Sequence, residues 1–523
     1  MIQNKIWRWP LACALAFSAA AWSEAVSLER NQAEVQAVTF KNPVVWADVP
    51  DPDVIRVGDY FYMVSTTMHL MPGAPVMRSK DLVNWETVSY LFDKLHETPK
   101  YDMEEGTVYG RGQWATSLRY HDGRFYALFS PNDVPYRSFV YTTDDPAKGW
   151  TLHSRMKHFH DASLFFDDDG RVYVFSGTGA LTELEPDLSG VKEGGVNMTL
   201  QVRDEEEKGL LEGSRVIKHD GKYYLLMISW PNGGKRRQLC YRADKITGPY
   251  EKKVILCDNF AGFPYVGQGT IVDDAKGNWY GVIFQDRGGV GRVLTLSPCH
   301  WIDGWPILGE VLDSNIGTMK CTGAMPFQAD EKLSIQRSDD FDESRLPPQW
   351  QWNHQPRKGF FSLTERPGWL RLKAFRPLEP NQLLKAGNTL TQRTFRKQDN
   401  VVVVKMDISG MENGQKAGLC HFSSPHSAIG VTKEGGICYL EFRENGKITK
   451  GMQVPSKHIW FSSQWGLDGK SRYAYSLDGD NFLPFGTPYQ MAWGNYKGDR
   501  IGMYCFNDNS ESGFVDVDYF HYR

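Results

Sequence analysis

Several features that would settle a function quickly are missing from this 523-residue chain, and each absence removes a class. Its eight cysteines are scattered with no CxxC pair and no zinc-like spacing, which argues against a thiol redox centre or a zinc module. No block of lysine and arginine occurs and the formal net charge is -4, so nucleic acid is not an expected partner. No apolar run is long enough to span a bilayer. Before residue 330 no stretch repeats with a helical period, which excludes a helical bundle or an α/β layer for that half.

Strands, aromatics and turn glycines are what the chain does have. Aromatic residues make up 13% and include 17 Trp, a composition suited to strand-rich folds that handle sugars. The stretch LLEGSRVIKHDGKYYLLMIS (210–229) reads as a loop bearing Glu212, a short strand, a His-Asp-Gly turn and a second strand. The same unit recurs as DPDVIRVGDYFYMVSTT from Asp51, WATSLRYHDGRFYALFS from Trp114, DASLFFDDDGRVYVFSG from Asp161 and GQGTIVDDAKGNWYGVIFQD from Gly267. By subtraction, the turn glycines Gly58, Gly123, Gly170, Gly221 and Gly277 are separated by 65, 47, 51 and 56 residues. That is the period of a module of about four strands. A repeated hairpin without helices buries both sheet faces only by stacking on its neighbours, so the pattern predicts a five-bladed β-propeller.

Alignment on the turn glycines selects candidate site residues without further assumptions. Nine positions upstream lie Trp114, Asp161, Glu212 and Gln268; the first copy has a loop two residues shorter and supplies Asp51. Equivalent positions in a propeller surround one channel. Three carboxylates there would repel one another and feel burial, which drives their proton affinities apart and separates an acid from a base. Hydrolysis of a glycoside by inversion needs such a pair, one carboxylic acid at the leaving oxygen and one carboxylate activating water. A third carboxylate can tune the acid.

At the N-terminus, residues 1–25 have a basic start, an apolar run from Leu11 to Trp22 and small residues ahead of a polar segment, the pattern of a secretory signal peptide. Export to the periplasm or the medium is therefore expected, with no membrane span. Residues 40–325 are assigned to the propeller. Segments such as SKDLVNW and TTDDPAKGW read as outer-strand turns that plug the blades. After a connector, alternating strands such as NVVVVKMDI and FVDVDYFHY in residues 336–523 predict a β-sandwich of the lectin-like jelly-roll kind. The chain is thus read as all-β. Cys240 and Cys257 are a candidate pair, and the other thiols are expected to be buried.

Several of these motifs, in order and spacing, resemble glycoside hydrolase family 43, the inverting β-xylosidases and α-L-arabinofuranosidases. They include Pro50-Asp51-Pro52 with DVIRVGDYFYMVST, then WATSLRYHDGRFYALFS, HDASLFFDDDGRVYVFSG, LEGSRVIKHDGKYYLLMIS and GVIFQDRGGVGRV. DDFDESRLPPQWQWNHQPRKGFFSLTERPGWLRLKA resembles the C-terminal sandwich module of the xylosidase branch. The resemblance implies Asp51 as general base, Glu212 as general acid and Asp161 as the group that tunes and orients the acid. It places Arg292 on the reacting sugar and the carboxylates. Trp114 would stack on the sugar face and Gln268 would face the channel.

The same resemblance has a sandwich loop residue closing one end of the pocket, for which Phe506 is the candidate; a core position for Phe506 is the competing reading. The loop Met68 to Met77 is expected at the pocket rim, and His354 at the domain interface. Many relatives carry a histidine just before the fifth-copy glutamine, where it often coordinates calcium; here that residue is Gly267. No cofactor is required, a structural calcium is compatible with the fold, and no metal is assigned to named residues. The expected partner is a xylo-oligosaccharide or arabinoxylan, cut from its end. A retaining, invertase-like enzyme and a catalytically silent carbohydrate-binding protein are the alternatives.

Overall fold

The computed structural model describes residues 39–523 apart from 258, 262, 264, 265, 314 and 328–332. The N-terminal 25 residues read as a signal peptide, together with Cys13, lie outside the described residues.

Five sheets follow one another along the first part of the chain, each built on four antiparallel strands; the fourth is widened to six by Gly317–Thr318, which runs parallel to Glu251–Leu256, and by Glu310–Val311. Their innermost strands are Asp53–Val57, Gln113–His121, Ser163–Phe166, Leu210–His219 and Val266–Asp273. Each inner strand touches the next, and the fifth touches the first, so the sheets close a ring of blades I to V around a channel. Turn chemistry starts each blade. Asp122-Gly123 and Asp220-Gly221 both have positive φ at the two turn positions, and the flanking residues His121–Arg124 and His219–Lys222 pair directly. These are two-residue hairpins whose twist matches that of the strands. Apolar clusters fill the gaps between adjacent blades, for example Leu118, Phe125, Phe129 and Tyr141 with Val64 and Val76.

The C-terminal part forms two eight-stranded sheets packed face to face. Strand Asp399–Asp407 alternates buried and part-exposed residues along its length, and Val402, Val404 and Met406 enter a large core with Phe461, Trp465 and Phe520. A period of two with one face buried is what a sandwich sheet requires.

The two parts share a sheet. Leu70–Met71, from blade I, pairs with Gln351–Asn353 and becomes the edge strand of one sandwich sheet. Residues 68, 71 and 77 of the methionine-rich loop are therefore buried in the interface and the blade cores rather than forming the pocket rim expected of them. His354 does lie in this seam: its Nε2 accepts from the Val108 N–H at 3.0 Å, and its ring sits 4.7 Å from that of His69. Cys240 is a free thiol in the core between blades IV and V, so the expected pair with Cys257 does not form.

Candidate active site

A recurring backbone irregularity aims the aligned residues at the channel. In blades II, IV and V the inner hairpin carries a register shift, between Gln113 and Thr116, between Glu212 and Arg215, and between Val266 and Gly269. Trp114, Glu212 and Gln268 occupy or border these bulges, which bend the strand and turn a side chain away from the pleat. In blades I and III the same job falls to a residue just ahead of the strand in the left-handed region, Asp51 with φ 53° and Asp161 with φ 47°. That conformation costs roughly 1–3 kcal/mol for a residue other than glycine and concentrates at functional positions. Gly213 follows Glu212 at φ +75°; a Cβ there would lie 2.7 Å from the Gln268 carboxamide carbon. Glycine thus lets the fourth and fifth inner strands close on each other.

Asp51 is held at both oxygens. Arg292 donates from Nη1 to Oδ1 at 2.7 Å, and the Thr66 hydroxyl donates to Oδ2 at 2.6 Å. Arg292 opens the third strand of blade V, and its Nε also donates to Asp286 at 3.2 Å, while Arg236 takes the other Asp286 oxygen at 2.6 Å. Below, the fully buried Arg215 donates to the backbone carbonyls of Asp51 and Thr116. The carboxylate is therefore fixed in direction as well as in charge environment.

The other two carboxylates form a different kind of group. His160 Nε2 lies 3.4 Å from Glu212 Oε2 and 3.9 Å from Asp161 Oδ2. One ligand atom from each of the three residues falls within 4.8 Å of the others. The hydrogen bond with Glu212, with added attraction from Asp161, Glu212 and Asp51, pushes the His160 imidazole up to about 9. Burial raises the Asp161 carboxyl to about 7; Glu212 and Asp51 push the same way, and His160 and Arg215 oppose them. Groups this close titrate as a coupled set, and both His160 and Asp161 hold their protons more tightly than usual beside Glu212.

Around this centre lies a pocket of about 560 Å³ lined by Leu210, Glu212, Trp230, Arg236, Phe263, Asp286, Gly288, Arg292, Trp493 and Tyr496. The last two belong to the sandwich. Tyr496 is 52% exposed, has φ 65°, and its ring centroid lies 6.0 Å from that of Trp114. Arg292 sits beneath both aromatics, with its guanidinium 5.9 Å from the Trp493 ring and 5.8 Å from the Tyr496 ring. Trp114 in turn lies 6.2 Å from His160.

The structure thus brings Asp51, Asp161, Glu212, Arg292, Trp114 and Gln268 together. It does not bring Phe506. That side chain is 1% exposed and packs with Leu383, Cys420, Phe422 and Tyr504 inside the sandwich, because strand Arg500–Asn507 is central in its sheet and buried along its whole length. The core reading of Phe506 is the correct one, and the sandwich reaches the pocket through Trp493 and Tyr496 instead. A glycine and asparagine between two aromatics, Trp493-Gly494-Asn495-Tyr496, was the available sign of a projecting turn.

Position 267 has no room for the histidine common elsewhere. A Cβ on Gly267 would meet ring carbons of Phe284 at 2.5 and 2.6 Å. The residues here do not fit a histidine-held cation at that point, and the chemistry below uses none. A second acidic cluster, Asp204, Glu206 and Glu207, is ion-paired with Lys252 and Arg237. Among the described residues, no helix is long and apolar enough to cross a membrane.

Comparison with known proteins agrees with this architecture. Residues 40–306 match the family model described as glycosyl hydrolases family 43, and residues 338–523 match the β-xylosidase C-terminal concanavalin A-like domain. A β-xylosidase of Formosa agariphila is 31% identical over 92% of this chain and 90% of its own length. A non-reducing-end α-L-arabinofuranosidase of Bacteroides ovatus is 30% identical over 67% of each chain. Among solved structures, a bifunctional GH43-CE protein of Bacteroides eggerthii superposes with a TM-score of 0.84 at 36% identity, covering 93% of this chain. The chain spans 64% of the length of that protein.

Proposed function

The chain belongs to glycosyl hydrolase family 43, and from that premise we propose that it releases single β-D-xylosyl or α-L-arabinofuranosyl units from the ends of xylan-derived oligosaccharides, with inversion at the anomeric carbon. The observation that carries this reading is the unequal treatment of the carboxylates. Asp51 accepts hydrogen bonds from a cation and a hydroxyl, while Glu212 lies against His160 and Asp161, both of which burial and hydrogen bonding dispose to carry a proton. The first arrangement presents a proton acceptor and the second stores a proton for delivery, the two halves of an inverting displacement.

In this mechanism Asp51 takes a proton from water as that water attacks the anomeric carbon. Glu212 gives its proton to the departing glycosidic oxygen. Asp161, buried beside Glu212 and His160, tunes and orients the acid and is a positioning residue. Arg292 orients Asp51 and supplies positive charge beside the reacting sugar. Trp493 and Tyr496 wall the pocket from the sandwich side, which favours a chain end over the middle of a polymer. The names of the two relatives, one a xylosidase and one an arabinofuranosidase, support both sugars as substrates. The N-terminal segment supports action outside the cytoplasm.

Initial rates of the purified chain on an aryl β-D-xylopyranoside and an aryl α-L-arabinofuranoside, against an Asp51→Asn blank, test the reading. Cleavage of either above the blank is expected. Neither being cleaved, while longer oligosaccharides still bind, would replace it with a binding role.

A further inference from the structure

The seam between propeller and sandwich buries more positive than negative charge. Arg393 and Arg500 are directly opposed on adjacent strands of one sandwich sheet, each 1% exposed. Lys497, three residues before Arg500, is 3% exposed. Like charges directly opposite one another in a sheet are destabilising, and an uncompensated buried cation is costly. Two carboxylates stand near these three cations. Asp48 accepts from the Arg292 N–H at 2.8 Å. Asp499 is committed through Oδ2 to the Thr394 hydroxyl and to His421. Three cations against two carboxylates leave one formal positive charge.

Hydrogen bonding leans in the same direction, with several donors against one acceptor, Asp499 Oδ1, buried without a partner. Lys497 Nζ, Arg500 Nε and Nη1, and Arg393 Nη2 are all buried without an acceptor. Arg393 uses its Nε on the Asp48 carbonyl at 2.8 Å, which puts its guanidinium at the propeller face of the seam. The Lys497 ammonium lies 4.2 Å from the Tyr109 ring centroid and 5.7 Å from that of Phe422, so aromatic faces rather than oxygens surround it. The cations feel one another: burial and Arg393 push Arg500 down to about 9, and burial and Arg500 hold Lys497 well below the usual lysine range. Water could accept from these N–H groups but would not cancel the charge.

We propose that a small monovalent anion of the halide class binds in this seam, against Arg393, Arg500 and Lys497. A spherical acceptor serves N–H donors that arrive from separate side chains, and its negative charge would hold the buried lysine and arginines in their charged forms. Because Asp48 bonds the backbone of Arg292, the site also stiffens the support behind the Arg292–Asp51 pair.

The test uses the full chain in sodium gluconate, exchanged stepwise for sodium chloride or bromide at constant ionic strength. The apparent Tm is expected to rise saturably by about 2–4 °C with either halide, as binding to the folded state alone requires. Crystals soaked in bromide should show an anomalous peak among the three cations. Lys497→Met should abolish the halide response while keeping the halide-free Tm unchanged or higher, since it removes the buried charge. If that variant fails to fold, the Tm series and the bromide peak on the natural chain decide the matter alone. Equal Tm in gluconate and halide, with no anomalous peak in the seam, would overturn the proposal.

Discussion

Arg292 donates to Asp51 at 2.7 Å across the closure of the propeller ring, joining the last blade to the loop that opens the first. The two residues are separated by 241 positions in sequence, so their contact exists only once the ring has closed. Replacing Arg292 with Met should leave Asp51 buried beside Thr66 without its cation. A loss of about 10²-fold in kcat/KM is expected, the range for a charged hydrogen-bond donor aimed at a reacting centre. Steady-state kinetics with an unchanged Tm would support the role, and an unchanged kcat/KM would remove Arg292 from the site.

The trio of His160, Asp161 and Glu212 makes a pH prediction with a definite sign. His160 is raised, to about 9, first by its hydrogen bond with Glu212, and Asp161 is raised, to about 7, first by burial. Groups raised in this way keep their proton at low pH and lose it as pH climbs, so activity that needs the stored proton should fall between about pH 7 and 9. Asp161→Asn deletes a negative charge beside both partners and should draw the alkaline limb of kcat/KM to lower pH. The effect should be larger on substrates with poor leaving groups, which depend most on protonation. An alkaline limb that does not move would refute the coupling of Asp161 to the acid.

Trp493 and Tyr496 are expected to act on binding more than on chemistry. Tyr496→Ala should raise KM by about 10-fold with a smaller change in kcat, because it removes pocket wall without touching the carboxylates. The same variant should accept branched or longer oligosaccharides better relative to aryl glycosides. A selective fall in kcat would instead put Tyr496 in the transition state.

Phe506 gives the converse case. As a fully buried side chain within the sandwich it should cost about 3–5 kcal/mol on truncation to Ala, read as a lowered Tm. The specific activity of the folded fraction should stay within about 2-fold of the natural chain. Retained stability with altered KM would return Phe506 to the pocket.

How much of this was readable in the residues follows from the range of each interaction. Turn glycines act locally, so the hairpins and their alignment were legible, and the alignment alone picked out Asp51, Asp161 and Glu212. Register then did the rest, since each bulge or left-handed residue lies at a fixed distance from its turn. Contacts between the two parts were not legible in the same way. Strand alternation does not say which sandwich loop faces the propeller, so it does not separate Phe506, a core residue, from Trp493 and Tyr496, which line the pocket. Nor does it say that Leu70–Met71 would leave blade I to complete a sandwich sheet; a short apolar run beside a proline fits a pocket rim equally well. His160 is marked in the sequence only by its place beside Asp161; its raised proton affinity depends on the 3.4 Å approach to Glu212, 52 residues away.

Product stereochemistry tests the central claim most directly. Proton NMR during the first minutes of hydrolysis of an aryl β-D-xyloside resolves the two anomers before they equilibrate. Direct attack by water activated at Asp51 requires α-D-xylose to appear first, with formation abolished in Asp51→Asn. Initial release of β-D-xylose would contradict it, because that outcome needs a covalent intermediate and would make Asp51 a nucleophile rather than a base.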